Sequence, residues 1–166
     1  MADAQAASQA AGKSVPRTRL FTPGPVEIPV RVLRALAQEP PHHRTDAFRA
    51  VLRRVTESLR WLHGTDGEVF LLAASGTGAM EAAVVNLLAP GERALAIAGG
   101  KFGERWGSLL TAYGIAHQVI EVEWGAAVDP GAVARHLDRD PGLAAVFATH
   151  SETSTGVLHD VEAIAR

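Results

Sequence analysis

The order in which this chain changes texture predicts an α/β fold on a mostly parallel sheet. Short apolar runs at 68–74, 93–98, 117–124 and 143–150 alternate with stretches of helical periodicity, the rhythm of βαβ units. Three of the runs end in small or polar clusters, at Ser75–Gly78, Gly99–Phe102 and His150–Gly156. Open α/β sheets bind ligands outside the carboxyl ends of their strands, so these clusters are the candidate site. With 166 residues, 47% hydrophobic and 20% charged, the chain can build a core without staples.

From the start, residues 1–17 read as a disordered tail: MADAQAASQAAGKSV is small and polar, has no packing period and lacks the apolar core of a secretory signal. A cytoplasmic location is the resulting expectation. Residues 18–66 read as an N-terminal loop and helices. FTPGPVEIP, with its prolines and glycine, is an irregular loop, and Pro29 sits near the first turn of a helix over VRVLRALAQ. EPPHH breaks that helix. From Thr45 to His63 a second helix is marked by Phe48, Val51, Leu52, Val55, Leu59 and Leu62, with Gly64 as its stop.

From residue 67 the sheet pattern takes over. EVFLLAA (68–74) reads as a buried strand, followed by the turn Ser75-Gly76-Thr77-Gly78 and a helix, beginning near residue 78, through Met80, Val84, Leu87 and Leu88. RALAIA (93–98) is the second strand, and the helix after Gly99-Gly100 places Trp106, Leu109, Leu110 and Tyr113 on one face, stopping at Gly114. HQVIEVEW (117–124) is a third strand. Asp129-Pro130 opens a helix, with Asp as N-cap and Pro at the first helical position. LAAVFATH (143–150) is the fourth strand, and DVEAIAR begins another helix.

Composition excludes several functions. A net charge of −2 gives no electrostatic reason to bind nucleic acid or an anionic membrane surface. No apolar run approaches the roughly 20 residues of a membrane span. The absence of cysteine rules out disulfides, thiolate metal sites and a cysteine nucleophile within this chain. The histidines lack metal-ligand spacing, and no metal is expected.

The three clusters carry the chemistry. A helix N-terminus offers free N–H groups and about half a positive charge, so the Ser75–Gly78 turn suits a phosphate. The same turn is also compatible with a plain tight turn capped by Ser or Thr. GGKFGERW could set the Phe102 ring over a flat ligand, or Phe102 and Trp106 could be core residues at helical spacing. THSETSTGV (149–157) suits a polar ligand edge, or a capped hydrophilic loop.

In order, LFTPGPVEIP, HHRTDAF, SGTGAMEAAVVNLLAPG, GGKFGERW, VEWGAAVDP and FATHSETSTGVLHDVEAIA resemble the class V aminotransferases of the pyridoxal-phosphate fold type I superfamily. The alanine/serine–glyoxylate (serine–pyruvate) group is the most similar, and the resemblance runs from Leu20 to the end. It implies that residues 67–166 are the first part of the mostly parallel-sheet large domain. It implies pyridoxal 5'-phosphate as cofactor, with Ser75, Gly76 and Thr77 at its phosphate, Phe102 stacked on its ring and Thr153 near its phenolic oxygen. Pro23, Gly24 and Pro25 would lie at the substrate mouth, and His43 and Arg44 would approach a neighbouring subunit's site. The partners implied are a small amino acid, a 2-oxo acid and a second copy in a homodimer.

No catalytic residue of the family falls in this chain. The Schiff-base lysine and the aspartate at the ring nitrogen come later in relatives, and the only lysines here are Lys13 and Lys101. The chain therefore reads as an N-terminal portion, inactive alone. Its first strand is expected to lack neighbours that later strands supply, which predicts a poorly soluble or loosely folded chain. Transamination is the leading function; an inactive fragment, or another class V reaction such as desulfurase or lyase chemistry, is the alternative.

Overall fold

The computed structural model describes residues 19–166, so the expected tail at 1–17 lies outside the described residues. The chain divides into two compact units, one ending at Thr65 and the other starting at Asp66.

In the first unit, Val30–Leu36 forms helix α1 and Asp46–His63 forms helix α2. The helix expected from Thr45 begins one residue later, because Thr45 is its N-cap: it is extended, and its Oγ1 accepts a hydrogen bond from the Phe48 N–H at 3.3 Å. It stops at Gly64, whose φ of 59° is left-handed. Neither helix contains a buried residue. The apolar stripe of α2 is present as the spacing predicts, but Trp61 remains 84% exposed.

In the second unit the helices and strands follow in the order α3 (Gly76–Leu87), β1 (Arg93–Ala98), α4 (Lys101–Ala112), β2 (Ala116–Glu121), α5 (Pro130–Arg139) and β3 (Leu143–Phe147). A two-stranded hairpin, β4 (Ser151–Glu152) and β5 (Val157–Leu158), and helix α6 (Val161–Ala165) complete it. The sheet has the order β2-β1-β3, and both pairings are parallel, as the α/β class predicts.

Period-two alternation explains the two faces of β1. Ala94 and Ala96 join Val84, Leu109, Leu110 and Phe147 in one cluster, beneath α3 and α4. Leu95 and Ile97 join Ile120, Val128 and Val133 in the other, beneath α5. A strand covered on both faces has no polar face to spare, which is why RALAIA is apolar throughout after its arginine. That arginine works at the sheet's other end. Arg93 grips Asp140 with two bonds of 2.6 and 2.7 Å, and the Gln118 side-chain amide donates to the same carboxylate at 2.8 Å. The Arg93 guanidinium holds the Asp140 carboxyl below the usual carboxylate range. Together these bonds tie the starts of β1, β2 and β3.

The predicted strand at 68–74 does not form. Its residues make no ladder, and Phe70, Leu71 and Leu72 are 82%, 55% and 54% exposed. A strand exists only as a pairing, because its N–H and C=O groups need a neighbour. β1 is flanked on both sides, and among the described residues no strand pairs with 68–74. The predicted strands at 117–124 and 143–150 are shorter, ending at Glu121 and Phe147. The helix after the small-residue turn begins at Gly76, two residues earlier than expected.

Leu95, fully buried in the central strand, tests this core. Leu95→Ala is expected to lower unfolding free energy by about 2–5 kcal/mol, measured by urea denaturation followed by circular dichroism.

Candidate functional site

The sheet order itself marks the place. After β1 the chain runs through α4 to β2 on one side, then returns through α5 to β3 on the other side of β1. Connections that leave adjacent strands in opposite directions open a crevice at the carboxyl ends of β1 and β3. A cavity of about 530 Å³ lies there, lined by residues from three stretches: Ser75–Thr77 with Met80, Phe102 with Arg105 and Trp106, and Ala148–Ser151 with Thr153. Its size is within the range of roughly 300–1,000 Å³ usual for small-molecule sites.

The small-residue turn meets the cavity as the start of α3. Thr45, Asp129 and Asp160 each cap their own helix with a side chain, but Ser75 makes no such bond. The Gly76 and Thr77 amides, in the first turn, have no hydrogen-bond partner among the described residues. The two glycines have different reasons. A Cβ on Gly78 would fall 2.6 Å from the Ala74 Cβ, so close packing requires its absence. A Cβ on Gly76 would meet no atom within 4 Å, so this glycine leaves open space at the helix start.

The start of α4 is built in the opposite way. Glu152, fully buried, accepts hydrogen bonds at Oε2 from the Phe102 N–H at 3.1 Å and the Gly103 N–H at 2.8 Å. The Ser154 hydroxyl donates to Glu152 Oε1 at 2.5 Å and accepts from the Lys101 N–H at 3.0 Å. Three consecutive amides at the positive end of α4 are thereby closed by a carboxylate and its neighbour. Desolvation pushes the Glu152 pKa up, but the bonds from Ser154, Gly103 and Phe102 outweigh it and hold the carboxyl below its usual range. Gly100 makes room: a Cβ there would lie 2.6 Å from Glu152 Cγ and Cδ and from Ser154 Oγ.

Further bonds hold the walls. Trp106 Nε1 donates to Thr149 Oγ1 at 3.2 Å, joining α4 to the end of β3, and its ring lies 5.0 Å from that of Phe147. Arg105 donates to Thr77 Oγ1 at 2.7 Å, joining α4 to α3. Buried His159 accepts the Val128 N–H at Nδ1, at 3.1 Å. Among the described residues no buried side-chain nitrogen or oxygen lacks a partner.

Ser75, Gly76, Thr77, Phe102 and Thr153, which the resemblance implies for one cofactor, all line this cavity. Phe102 and Trp106 divide the two roles left open for them: Trp106 packs against the core, and Phe102 stays 36% exposed at the cavity. Pro23, Gly24, Pro25, His43 and Arg44 belong to the first unit and are exposed. There His42 and His43 stack at 4.6 Å, and His42 Nδ1 accepts the Arg44 N–H. Lys101 pairs with Glu104 at 3.0 Å and is not among the cavity residues. Sequence reasoning missed Glu152, Arg105, Thr149 and His159 as site-building residues. Glu152 and Thr149 left a trace inside the polar run THSETSTGV, and Arg105 inside GGKFGERW.

No protein-family model matches the chain. It is 46% identical over 147 residues to a protein of Anabaena cylindrica described as a soluble hydrogenase 42 kDa subunit, covering 87% of this chain and 38% of that one. It is 36% identical over 151 residues to the serine–glyoxylate aminotransferase of Methylorubrum extorquens, covering 89% of this chain and 38% of that enzyme. Among solved structures, the subgroup IV aspartate aminotransferase of Thermus thermophilus superposes with a TM-score of 0.83 at 43% identity, over 90% of this chain and 41% of that one. The chain thus spans about two fifths of the length of the curated relatives it matches.

The Glu152 clasp predicts an acid limb. A depressed native pKa contributes stability that is present above the ordinary value near 4.3 and is lost as pH falls through the native value. Glu152→Gln is expected to be less stable than the parent at pH 7 by about 1.5–3 kcal/mol, with the difference shrinking toward pH 3. Urea midpoints at the two pH values measure it.

Proposed function

Starting from the homology of this chain to aminotransferases of the alanine/serine–glyoxylate type, with class V aminotransferases as its structural neighbours, we propose that the whole protein is a pyridoxal-phosphate-dependent aminotransferase. It moves an amino group between a small amino acid, alanine or serine, and a 2-oxo acid, glyoxylate or pyruvate. The observation that carries this reading is the convergence of an open helix start, an exposed aromatic ring and a threonine hydroxyl on one cavity at the sheet's switch point.

The residues present fit pyridoxal 5'-phosphate. The free Gly76 and Thr77 amides, with the Ser75 and Thr77 hydroxyls, offer several donors to a phosphate at the positive end of α3. The open space at Gly76 admits its oxygens to the backbone. Phe102 offers an apolar face to the heterocycle. Thr153, held beside Glu152 on the hairpin, offers a hydroxyl to the ring's polar edge.

When bound, the cofactor would supply an electron sink for the substrate's α-carbon, and the protein's part would be orientation and charge. Within this chain that part is binding. Ser75, Gly76 and Thr77 would hold the anionic end, Phe102 would lie against the ring, and Thr153 would offer its hydroxyl to the ring's polar edge. Trp106 and Met80 line the cavity with apolar surface and limit water there. Pro23, Gly24, Pro25, His43 and Arg44 remain proposed for the substrate mouth and the subunit boundary of a homodimer. Residues 67–166 are proposed as the first part of the cofactor-binding large domain, with 18–66 as its N-terminal arm.

Two relatives are described as soluble hydrogenase subunits and not as aminotransferases. Among the described residues no group of three or more His, Cys, Asp or Glu gathers to hold a metal.

Two measurements test the reading. The whole protein is expected to convert glyoxylate to glycine with alanine or serine as donor. Equal or faster turnover with aspartate would reassign the donor, and no transamination with any amino acid would overturn the reading. In this chain Phe102→Leu is expected to weaken cofactor binding by about 3–10-fold, from loss of ring stacking, as measured by equilibrium dialysis.

A further inference from the structure

Arg105 is the residue of the cavity that neither its neighbours nor the proposed reaction explain. It lies three residues after Phe102 on α4, so the two side chains share one helix face. Its guanidinium carbon sits 5.0 Å from the centroid of the Phe102 ring, and its Nη1 donates to Thr77 Oγ1 at 2.7 Å. One side chain thereby touches both the aromatic plate and the phosphate cup.

Its charge is unbalanced. Arg49, Arg93, Arg135 and Arg166 each pair with a carboxylate, whereas among the described residues no carboxylate pairs with Arg105. It is half-buried, and it is the one arginine or lysine that lines the cavity. Holding a guanidinium partly out of water without a counter-charge is unfavourable unless an anion arrives. The planar group has five N–H donors, and a single one is engaged with Thr77. The rest suit the paired oxygens of a phosphate.

The bond to Thr77 also has a direction. A hydroxyl has one proton and two lone pairs, so an oxygen that accepts from Arg105 keeps its own proton to give. The bond to Arg105 therefore leaves Thr77 a donor for any anion that enters the cavity, while the cation lies 5.0 Å from the centroid of the Phe102 ring.

We propose that Arg105 is the specificity-determining residue that makes this cavity select a phosphomonoester on a flat heterocycle over the same heterocycle without phosphate. The proposal rests on the reading of the cavity as a pyridoxal phosphate site, and the test separates the two. Pyridoxine 5'-phosphate and pyridoxine serve as probes, because neither carries an aldehyde that could react with Lys13 or Lys101. Calorimetric titration of the full chain is expected to show the phosphorylated probe bound more tightly, with inorganic phosphate competing for it.

Arg105→Gln is expected to weaken pyridoxine 5'-phosphate by about 10–100-fold and to change pyridoxine by less than about 3-fold. Phosphate competition should be lost in the same variant. Arg105→Lys should recover part of the preference, since charge returns without the planar fork. If Arg105→Gln loses the parent circular dichroism spectrum, Arg105→Lys decides, and an undiminished preference there overturns the proposal. An unchanged ratio in a folded Arg105→Gln overturns the role of Arg105 and leaves the cofactor reading standing. A parent chain that binds neither probe overturns both.

Discussion

The carboxylate of Glu152 on the first amides of α4 is the constraint from which the rest of the site takes its shape. The hairpin β4–β5 has two residues per strand, too few to hold a position by its own ladder. Its buried carboxylate and the Ser154 hydroxyl instead fasten it to Lys101, Phe102 and Gly103. The same bonds set where α4 begins, and so where Phe102, Arg105 and Trp106 project. Thr153, between the two clasping residues, comes to the cavity as a consequence. A charged acceptor with several donors in a buried setting is among the stronger hydrogen-bonding arrangements available to a protein, because removal of either side leaves the other desolvated.

Two helices begin near one crevice, and their N-termini are treated differently. Both carry unsatisfied amides and partial positive charge. At α4 that charge is neutralised internally by Glu152. At α3 Ser75 does not cap, Gly76 leaves space and the first amides are free. An incoming anion therefore finds one open helix start, not two competing ones. Arg105 adds full positive charge on the same side, bonded to Thr77. Polarity across the cavity follows: donors and cation toward α3, apolar Phe102 and Trp106 along one wall, hydroxyls toward β3 and the hairpin.

The exposed run Phe70–Leu72 shows where pattern reading reaches its limit. Its composition is that of a buried strand, yet a strand requires a neighbour as well as suitable residues. RALAIA, of similar texture, became the central strand because HQVIE and LAAVF pair on its two sides. Helix α2 teaches the same lesson in helical form, with correct caps and period but no buried residue. Propensity and periodicity specify which face is apolar; only a partner decides that it is buried.

The sequence alone determined whatever acts over a few residues. The cap at Asp129, the helix start near Thr45, the stop at Gly64, the alternation of strand and helix, and the three polar clusters at strand ends were all legible in it. Through the resemblance it also supplied the candidates Ser75, Gly76, Thr77, Phe102 and Thr153, which line one cavity. The tertiary structure alone decided the bonds between residues distant along the chain: Glu152 to Gly103 across 49 positions, Trp106 to Thr149 across 43, Arg105 to Thr77 across 28. A buried polar group is defined by its partner, and the partner is chosen by which strand ends the sheet brings together. That choice was made when β3 crossed back to pair with β1, an event that no window of neighbouring residues contains.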